Sequence, residues 1–272
     1  FGAGNETKGW QLTMVLYGLV AAIIFLITFF NTKERISPPA QQKTNPIEDI
    51  RDLLQNRPWL ILFALAMIIM MTITMRAGSA YYYFHYYVER PELLPDYLLW
   101  QMIAYAAGAV MAPVMTRYLD KAKLLMLLML IVGALSIAFY FVPKDMIWAM
   151  FTLNILISLA LGPKSPLTWS MYADTADYNE WKHGRRATAM TFSAATFAQK
   201  LGGSLGSAGM LWVLAAIGYA ANQAQTGASQ TGIALLQTAI PGFFALLAVA
   251  VTSFYNLTGK QLEQIQLDLR ER

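Results

Sequence analysis

Apolar runs of about 20 residues recur along this chain, which is the length a helix needs to cross a bilayer. In lipid, only helices and closed barrels satisfy every backbone hydrogen bond, and runs this long are typical of helices. We predict seven spans: 11–30, 59–88, 97–115, 124–142, one that starts at 147 and is interrupted at 162–166, 187–217 and 233–255. Charged residues make up 13% of the chain, against about 25% in soluble domains, which favours an all-α integral membrane protein.

Composition argues against several other functional classes. The chain has no cysteine, so it holds no disulfide, thiolate metal site or cysteine nucleophile. Its two histidines, His85 and His183, are scattered, and neither an HExxH motif nor a phosphate-binding P-loop occurs. We therefore expect no enzyme activity, no metal site and no cofactor. The net charge of +4 resides in the connections between spans, so no nucleic-acid partner is expected either.

Lysine and arginine residues are concentrated in alternate connections. They cluster in four places, at 32–57, 117–123, 164–186 and 260–272. The intervening connections hold only Arg90 and Lys144. Because cytoplasmic loops of membrane proteins carry the excess of positive charge, we predict a cytoplasmic C-terminus.

The longest polar stretch divides the chain unevenly. We predict a last transmembrane helix of a missing N-terminal half (1–31), a central cytoplasmic loop (32–57), a six-helix transmembrane bundle (58–257) and a cytoplasmic tail (258–272). A six-helix block that follows a long cytoplasmic loop is what the second half of a twelve-helix transporter looks like. The missing half and the lipid bilayer are thus expected partners.

A lone lysine, Lys200, lies deep within an otherwise uncharged span. Burying such a charge at mid-membrane costs about 2.5–3.5 kcal/mol on insertion scales, so Lys200 is a functional candidate. Ser193, Thr196, Ser204 and Ser207 recur with it at steps of three and four residues, which places them on one helix face. We predict that this face lines a substrate or cation site. A lysine that snorkels to the interface, or helix–helix contact through small polar residues, is the alternative.

A dense charged patch precedes that span. Asp174 and Asp177 are three residues apart and Tyr178 is four from Asp174, so they share a face if the segment is helical. The predicted cytoplasmic gating network comprises Asp174, Asp177, Tyr178, Glu180 and Arg186. Arg185 and Arg186 follow Gly184, close enough to fold back or to meet another cytoplasmic helix end. A solvated loop without a role is the alternative.

An aromatic run, YYYFHYY, ends the second span at residues 81–87. Aromatic rings stack on sugars, but tyrosines at a membrane edge also form the interfacial belt. Arg76 lies more than a helical turn inward from this run. We predict an external vestibule that includes Arg76, Tyr83 and Tyr87, with the interfacial belt as the alternative.

The stretch from 171 to 200 carries a fixed pattern of polar residues. The pattern M-x-A-D-x-x-D-Y-x-E is formed by Met171, Ala173, Asp174, Asp177, Tyr178 and Glu180, and it continues through Arg186 to Lys200. In this pattern the chain resembles the glycoside–pentoside–hexuronide:cation symporters, the family of the melibiose carrier within the major facilitator superfamily. The N-R-P sequence at 56–58, which ends the central loop, agrees with that family's layout.

The resemblance implies the C-terminal six-helix bundle of that superfamily plus one preceding transmembrane helix, in a bacterial inner membrane. It implies secondary active transport of a sugar with Na⁺, H⁺ or Li⁺ by alternating access. In the family, the positions of Lys200 and Thr196 lie near the cation and sugar sites. Those of Asp174, Asp177 and Arg186 belong to a cytoplasmic network coupled to conformational change. The family's cation-binding carboxylates lie in the half absent here, so this chain alone is expected not to perform coupled transport.

Two other functions stay open at this point. A transporter of the same superfamily could carry a non-sugar substrate, such as an organic anion that pairs with Lys200 and Arg76. A membrane protein without transport activity, either receptor-like or a scaffold, is the second alternative.

Overall fold

A computed structural model describes residues 5–32, 46–185 and 187–271. Within these residues all regular structure is helical, as the sequence predicts. The chain divides into two compact units, 1–44 and 45–272. The first contains α1 (Glu6–Asn31), whose N-terminus is capped by the Asn5 side chain. Apolar side chains are exposed around all of α1, which is typical of a helix that spans a membrane.

The second unit contains ten further α-helices within the described residues. They are α2 (Pro46–Gln55), α3 (Arg57–Tyr82), α4 (Leu94–Met115), α5 (Lys121–Tyr140), α6 (Ile147–Leu161), α7 (Lys164–His183), α8 (Thr188–Ala216), α9 (Gly227–Gln237), α10 (Ala239–Thr252) and α11 (Gly259–Glu271). A π-helical turn at Tyr83–Tyr87 extends α3, and a 3₁₀ turn at Pro91–Leu93 precedes α4.

Six helical segments of the described chain are long and apolar enough to cross a membrane. They are Thr7–Asn31, Arg57–Tyr87, Pro91–Met115, Lys121–Tyr140, Ile147–His183 and Gly227–Thr252. α8, the predicted sixth span, has 29 residues and is long enough as well. Its glycines, together with Gln199 and Lys200, make it less apolar than the other six.

Two of these segments are broken helices. The predicted interruption of the fifth span is confirmed, because α6 ends and α7 begins around Gly162 and Pro163. The last span was predicted as one helix from 233 to 255, but it begins at Gly227 and breaks at Thr238. Pro241 lacks the N–H that would continue the helical hydrogen bonds across this point, which explains the break.

The tightest helix pairing joins α8 to α3. Gly202 of α8 lies so close to the α3 backbone at Met67 that an added methyl group would collide with it. Gly206 makes the same close approach one turn later, against Met71 and Thr74. Small residues at such spacing let membrane helices come into backbone contact. This contact fixes which face of α8 points away from the bundle.

Candidate functional site

The polar stripe of α8, defined as Ser193, Thr196, Lys200 and Ser204, lies on an exposed face of the helix. The opposite face, which includes Ala195, is buried against the bundle. The structure thus places together all four residues that the sequence assigned to a substrate or cation site.

Lys200 forms no hydrogen bond or ion pair with the described residues, and its side chain is exposed. The Thr196 hydroxyl, by contrast, donates to the Phe192 carbonyl of its own helix over 2.9 Å. The stripe therefore offers one unneutralised positive charge beside hydroxyl groups. Such a surface suits hydroxyl or anionic groups of a ligand better than a cation.

Carboxylates are scarce where a cation would need them. Helices α3, α5, α6, α8, α9 and α10 contain neither aspartate nor glutamate. No group of histidine and acidic side chains able to hold a metal ion occurs among the described residues. The described bundle therefore supplies no carboxylate site for a coupling cation within these six helices.

The charged patch forms the C-terminal part of α7, and its members contact different elements. Asp174 is 8% exposed and accepts a 2.6 Å hydrogen bond from the Lys121 amine at the start of α5. Nearby Tyr255 is half-buried, and desolvation, with a smaller contribution from the Asp174 carboxylate, raises the pKa of its phenol. Lys121 was not singled out in the sequence, because it lies 53 residues from its partner.

The other predicted gating residues are distributed over the same helix end. Asp177, Tyr178 and Glu180 are all half-buried. The Tyr178 ring lies 6.1 Å from that of Trp181, whose indole donates to Asp268 of α11 over 2.8 Å. The predicted member Arg186 lies outside the described residues. Of the two expectations for Arg185, to fold back or to meet another helix end, the structure shows a contact with another helix, α2.

The vestibule prediction needs correction for Arg76, which is 3% exposed and lies inside the bundle. Its guanidinium donates to Asn154 over 3.0 Å and to Ser136 over 3.4 Å, and lies 5.8 Å from the centre of the Phe139 ring. No carboxylate of the described residues pairs with it, and its Nε has no partner among them. Neutral dipoles supplied by α5 and α6 therefore hold this charge.

Tyr83 needs the same correction, because it is a core residue. It is among the largest fully buried side chains, and its hydroxyl contacts the sulfur of Met150 at 3.8 Å. Tyr87 is half-buried and stacks on Tyr83 with ring centres 5.1 Å apart. The exposed aromatic pair at this end is instead Tyr81 and His85, stacked at 5.2 Å. Tyr83 follows Arg76 by seven residues and Ala80 by three, so it lies on the same buried face of the helix.

Lys164 was counted with the cytoplasmic positive charges but is buried. It lies in the first turn of α7, just after the break, with its amine 4.0 Å from the sulfur of Met70 on α3. No feature of the local sequence distinguishes it from an exposed lysine. Its burial follows from the way the broken helix packs.

The helical bundle and its apolar spans define an all-α integral membrane protein. Residues 1–259 match the model of the MFS/sugar transport protein family. The chain belongs to this family.

Curated relatives agree with the family. The inner membrane symporter YicJ of Escherichia coli (strain K12) is 30% identical over 99% of this chain and 59% of its own length. The putative glycoside/cation symporter YagG of the same strain is 29% identical over 98% of this chain and 58% of its own length. The isoprimeverose transporter of Lactiplantibacillus pentosus is 29% identical over 94% of this chain and 54% of its own length.

These relatives carry the names of transporters, not of enzymes. The chain spans a little over half of their lengths. The sequence resemblance to sugar:cation symporters is therefore confirmed at the level of the family.

Proposed function

We propose that this chain contributes the helices α3–α10 of a sugar:cation symporter, in which the polar stripe of α8 faces the transport pathway. The observation that carries the proposal is Lys200, an exposed and unpaired charge at the centre of a helix in a membrane-spanning bundle. A charge in such a position is costly unless water, a ligand or another part of the protein receives it.

The substrate class is a glycoside, pentoside or hexuronide. Support comes from the names of the relatives, which include a glycoside/cation symporter, an isoprimeverose transporter and a glucuronide carrier homologue. In this proposal the Lys200 amine and the hydroxyls of Ser193, Thr196 and Ser204 form hydrogen bonds to sugar hydroxyls. The inner bacterial membrane, with the C-terminus in the cytoplasm, is the proposed location.

The coupling ion, Na⁺, H⁺ or Li⁺, is proposed to bind outside α3, α5, α6, α8, α9 and α10, since these helices contain no carboxylate. The missing N-terminal half is the proposed source of those carboxylates. Lys200 would then act as a positive charge whose environment changes when the cation binds and leaves. The half of the protein that faces α8 would cover the stripe in one state of the alternating-access cycle.

An organic anion is the second candidate substrate, and the unpaired state of Lys200 favours it. Arg76, which was expected to pair with such an anion as well, is buried among Ser136, Asn154 and Phe139. Lys200 alone would therefore have to neutralise the anion from this half.

Uptake by membrane vesicles tests both candidates. The vesicles come from cells that express the complete gene product, and labelled glycosides, hexuronides and simple organic acids are offered with and without a Na⁺ or proton gradient. We expect gradient-stimulated uptake of a sugar. Gradient-stimulated uptake of an organic acid but of no sugar would favour the second candidate. No uptake under any gradient would refute both.

A further inference from the structure

The short helix α2 contacts the linker between α7 and α8 through charges. Arg185, in this linker, donates to the Glu48 carboxylate and, over 2.6 Å, to the Asp49 carboxylate. Asp52 of the same helix lies 4.0 Å from the guanidinium. One arginine thus bridges acidic side chains on successive turns of α2. Such forked guanidinium–carboxylate contacts are strong and directional for a partly exposed site.

The other end of α2 is attached to α7 itself. Asn56, which is fully buried, donates its side-chain amide to the Thr175 carbonyl over 3.0 Å. The same side chain accepts from the Trp59 amide and so caps α3. α2 therefore reaches from the middle of the α7 patch to the start of α8, with α3 joined to it through one residue.

The attachment of α2 is weak apart from these polar contacts. Leu53 is buried, but Ile50 and Leu54 are 48% and 61% exposed. A helix that buries a single leucine gains little from the hydrophobic effect. The Arg185 ion pairs, with a longer 4.0 Å contact between Asp52 and His183, are therefore the charged attachment of α2 to this region, and ion pairs that are partly exposed cost little to break.

The linker connects α7 to α8, the helix that carries the polar stripe, so a contact that holds the linker also holds the start of that helix. Gly184 ends α7 in the left-handed conformation, at φ +68°, and the buried Asn179 side chain donates to the Arg185 carbonyl over 3.1 Å. The backbone of the linker is thus held by α7, and its side chain by α2. Arg185 is thus held by both helices at the point where the chain passes from α7 towards α8.

We propose that Arg185 is a positioning residue for transport: α2 holds the α7–α8 linker in one state of the cycle and releases it in the other. This inference rests on the proposed function and adds to it a control element that belongs to the central connection, not to the transport pathway. An interaction made in only one state shifts the equilibrium between the two states by its own strength.

Charge reversal and charge exchange test the proposal. In Arg185→Glu the linker is repelled by Glu48, Asp49 and Asp52, and we expect the maximal uptake rate to fall by about tenfold with KM changed less than about twofold. The triple variant Arg185→Glu, Glu48→Arg, Asp49→Arg restores opposite charges, so the rate should return to within about twofold of wild type. The matched control is Arg51→Glu, which makes the same charge change at an exposed position of α2.

A second readout does not depend on any substrate. This chain has no cysteine, so Ser207→Cys, in a gene product freed of any cysteine elsewhere, introduces a single thiol on the exposed face of α8, one turn after Ser204. We expect Arg185→Glu to raise the rate of its alkylation by a water-soluble maleimide about threefold or more in inside-out vesicles, and the charge exchange to reverse this. Arg51→Glu should leave that rate unchanged.

These two readouts distinguish a failure of the α2–linker contact proposed here from a failure of the proposed transport function. An unchanged or lower alkylation rate in Arg185→Glu overturns the proposal, and so does a triple variant that inserts normally but stays as impaired as the single one. If wild type takes up no sugar while the alkylation rates change as expected, the proposed function fails and the control of α8 by α2 stands.

Discussion

Two lone cations in the described bundle, Lys200 and Arg76, look alike in the sequence but differ in their surroundings. Lys200 is exposed on α8 and pairs with none of the described residues. Arg76 is buried and held by the side chains of Asn154 and Ser136 and the face of a phenylalanine ring. The Lys200 charge is therefore accessible to a ligand or to another part of the protein. The Arg76 charge is already stabilised by side chains of the bundle. Function is therefore expected at Lys200 and stability at Arg76.

Lys200→Ala should have the largest effect of the variants considered, and the effect should be on transport. If the charge serves transport, its loss should lower the initial rate of labelled glycoside uptake by about 100-fold, because an interaction of about 2.7 kcal/mol is removed. The free energy of unfolding should change by less than about 0.5 kcal/mol, since the side chain is exposed. Lys200→Arg is the control that keeps the charge. Uptake unaffected by Lys200→Ala would reduce this residue to a packing role.

Asn154→Leu should have the next largest effect, and on stability. It removes the 3.0 Å acceptor of Arg76 and the donor to the Tyr97 carbonyl, and so leaves a buried charge undersolvated. We expect the free energy of unfolding in detergent to fall by about 2–3 kcal/mol. Asn154→Asp keeps an acceptor for Arg76 and should lose less. Equal stability of wild type and Asn154→Leu would contradict the view that neutral dipoles hold Arg76.

Ser136→Ala tests the weaker of the two hydrogen bonds made by Arg76. The Arg76–Ser136 hydrogen bond is 3.4 Å long, so its loss should cost about 0.5–1 kcal/mol in the free energy of unfolding. Chemical denaturation of the two variants side by side measures the difference. A cost for Ser136→Ala above that for Asn154→Leu would reverse the assigned order of the two partners.

Thr196→Val should have the smallest effect. The hydroxyl is satisfied by the Phe192 carbonyl, so the helix loses little when it is removed. If the stripe contacts the sugar, we expect KM to rise by about two- to threefold with stability unchanged. Thr231→Val is the matched control, because Thr231 of α9 is also exposed and donates its hydroxyl to the Gly227 carbonyl of its own helix over 2.9 Å. Equal KM values for the two variants would remove Thr196 from the proposed site.

The sequence was sufficient for most of the helices, because long apolar runs and the Gly162-Pro163 break are local signals, but the prediction missed the break at Thr238. It also predicted the exposed polar face of α8, since steps of three and four residues define a helix face. Arg76 shows where local signals end. Its partners lie 60 and 78 residues away on other helices, so only the packed bundle reveals that its charge is satisfied.

The same limit explains Asp174 and Lys164. The partner of Asp174 is Lys121 on α5, and the pattern of charges within α7 gives no indication of this contact with another helix. Lys164 is buried because α7 turns at the break and packs towards Met70 of α3. By contrast, the break at Thr238 was foreseeable, since Pro241 is visible in the sequence.

The glycine contacts between α8 and α3 have a mechanical consequence. At Gly202 the two backbones are in direct contact, and at Gly206 the α8 backbone lies against the Met71 backbone and the Thr74 side chain, so we expect the two helices to move together. If α8 tilts during transport, as proposed, α3 is expected to tilt with it. Helices α3 and α8 would then move as one unit. Asn56, which caps α3 and donates to the Thr175 carbonyl of α7, is where this motion would reach α7.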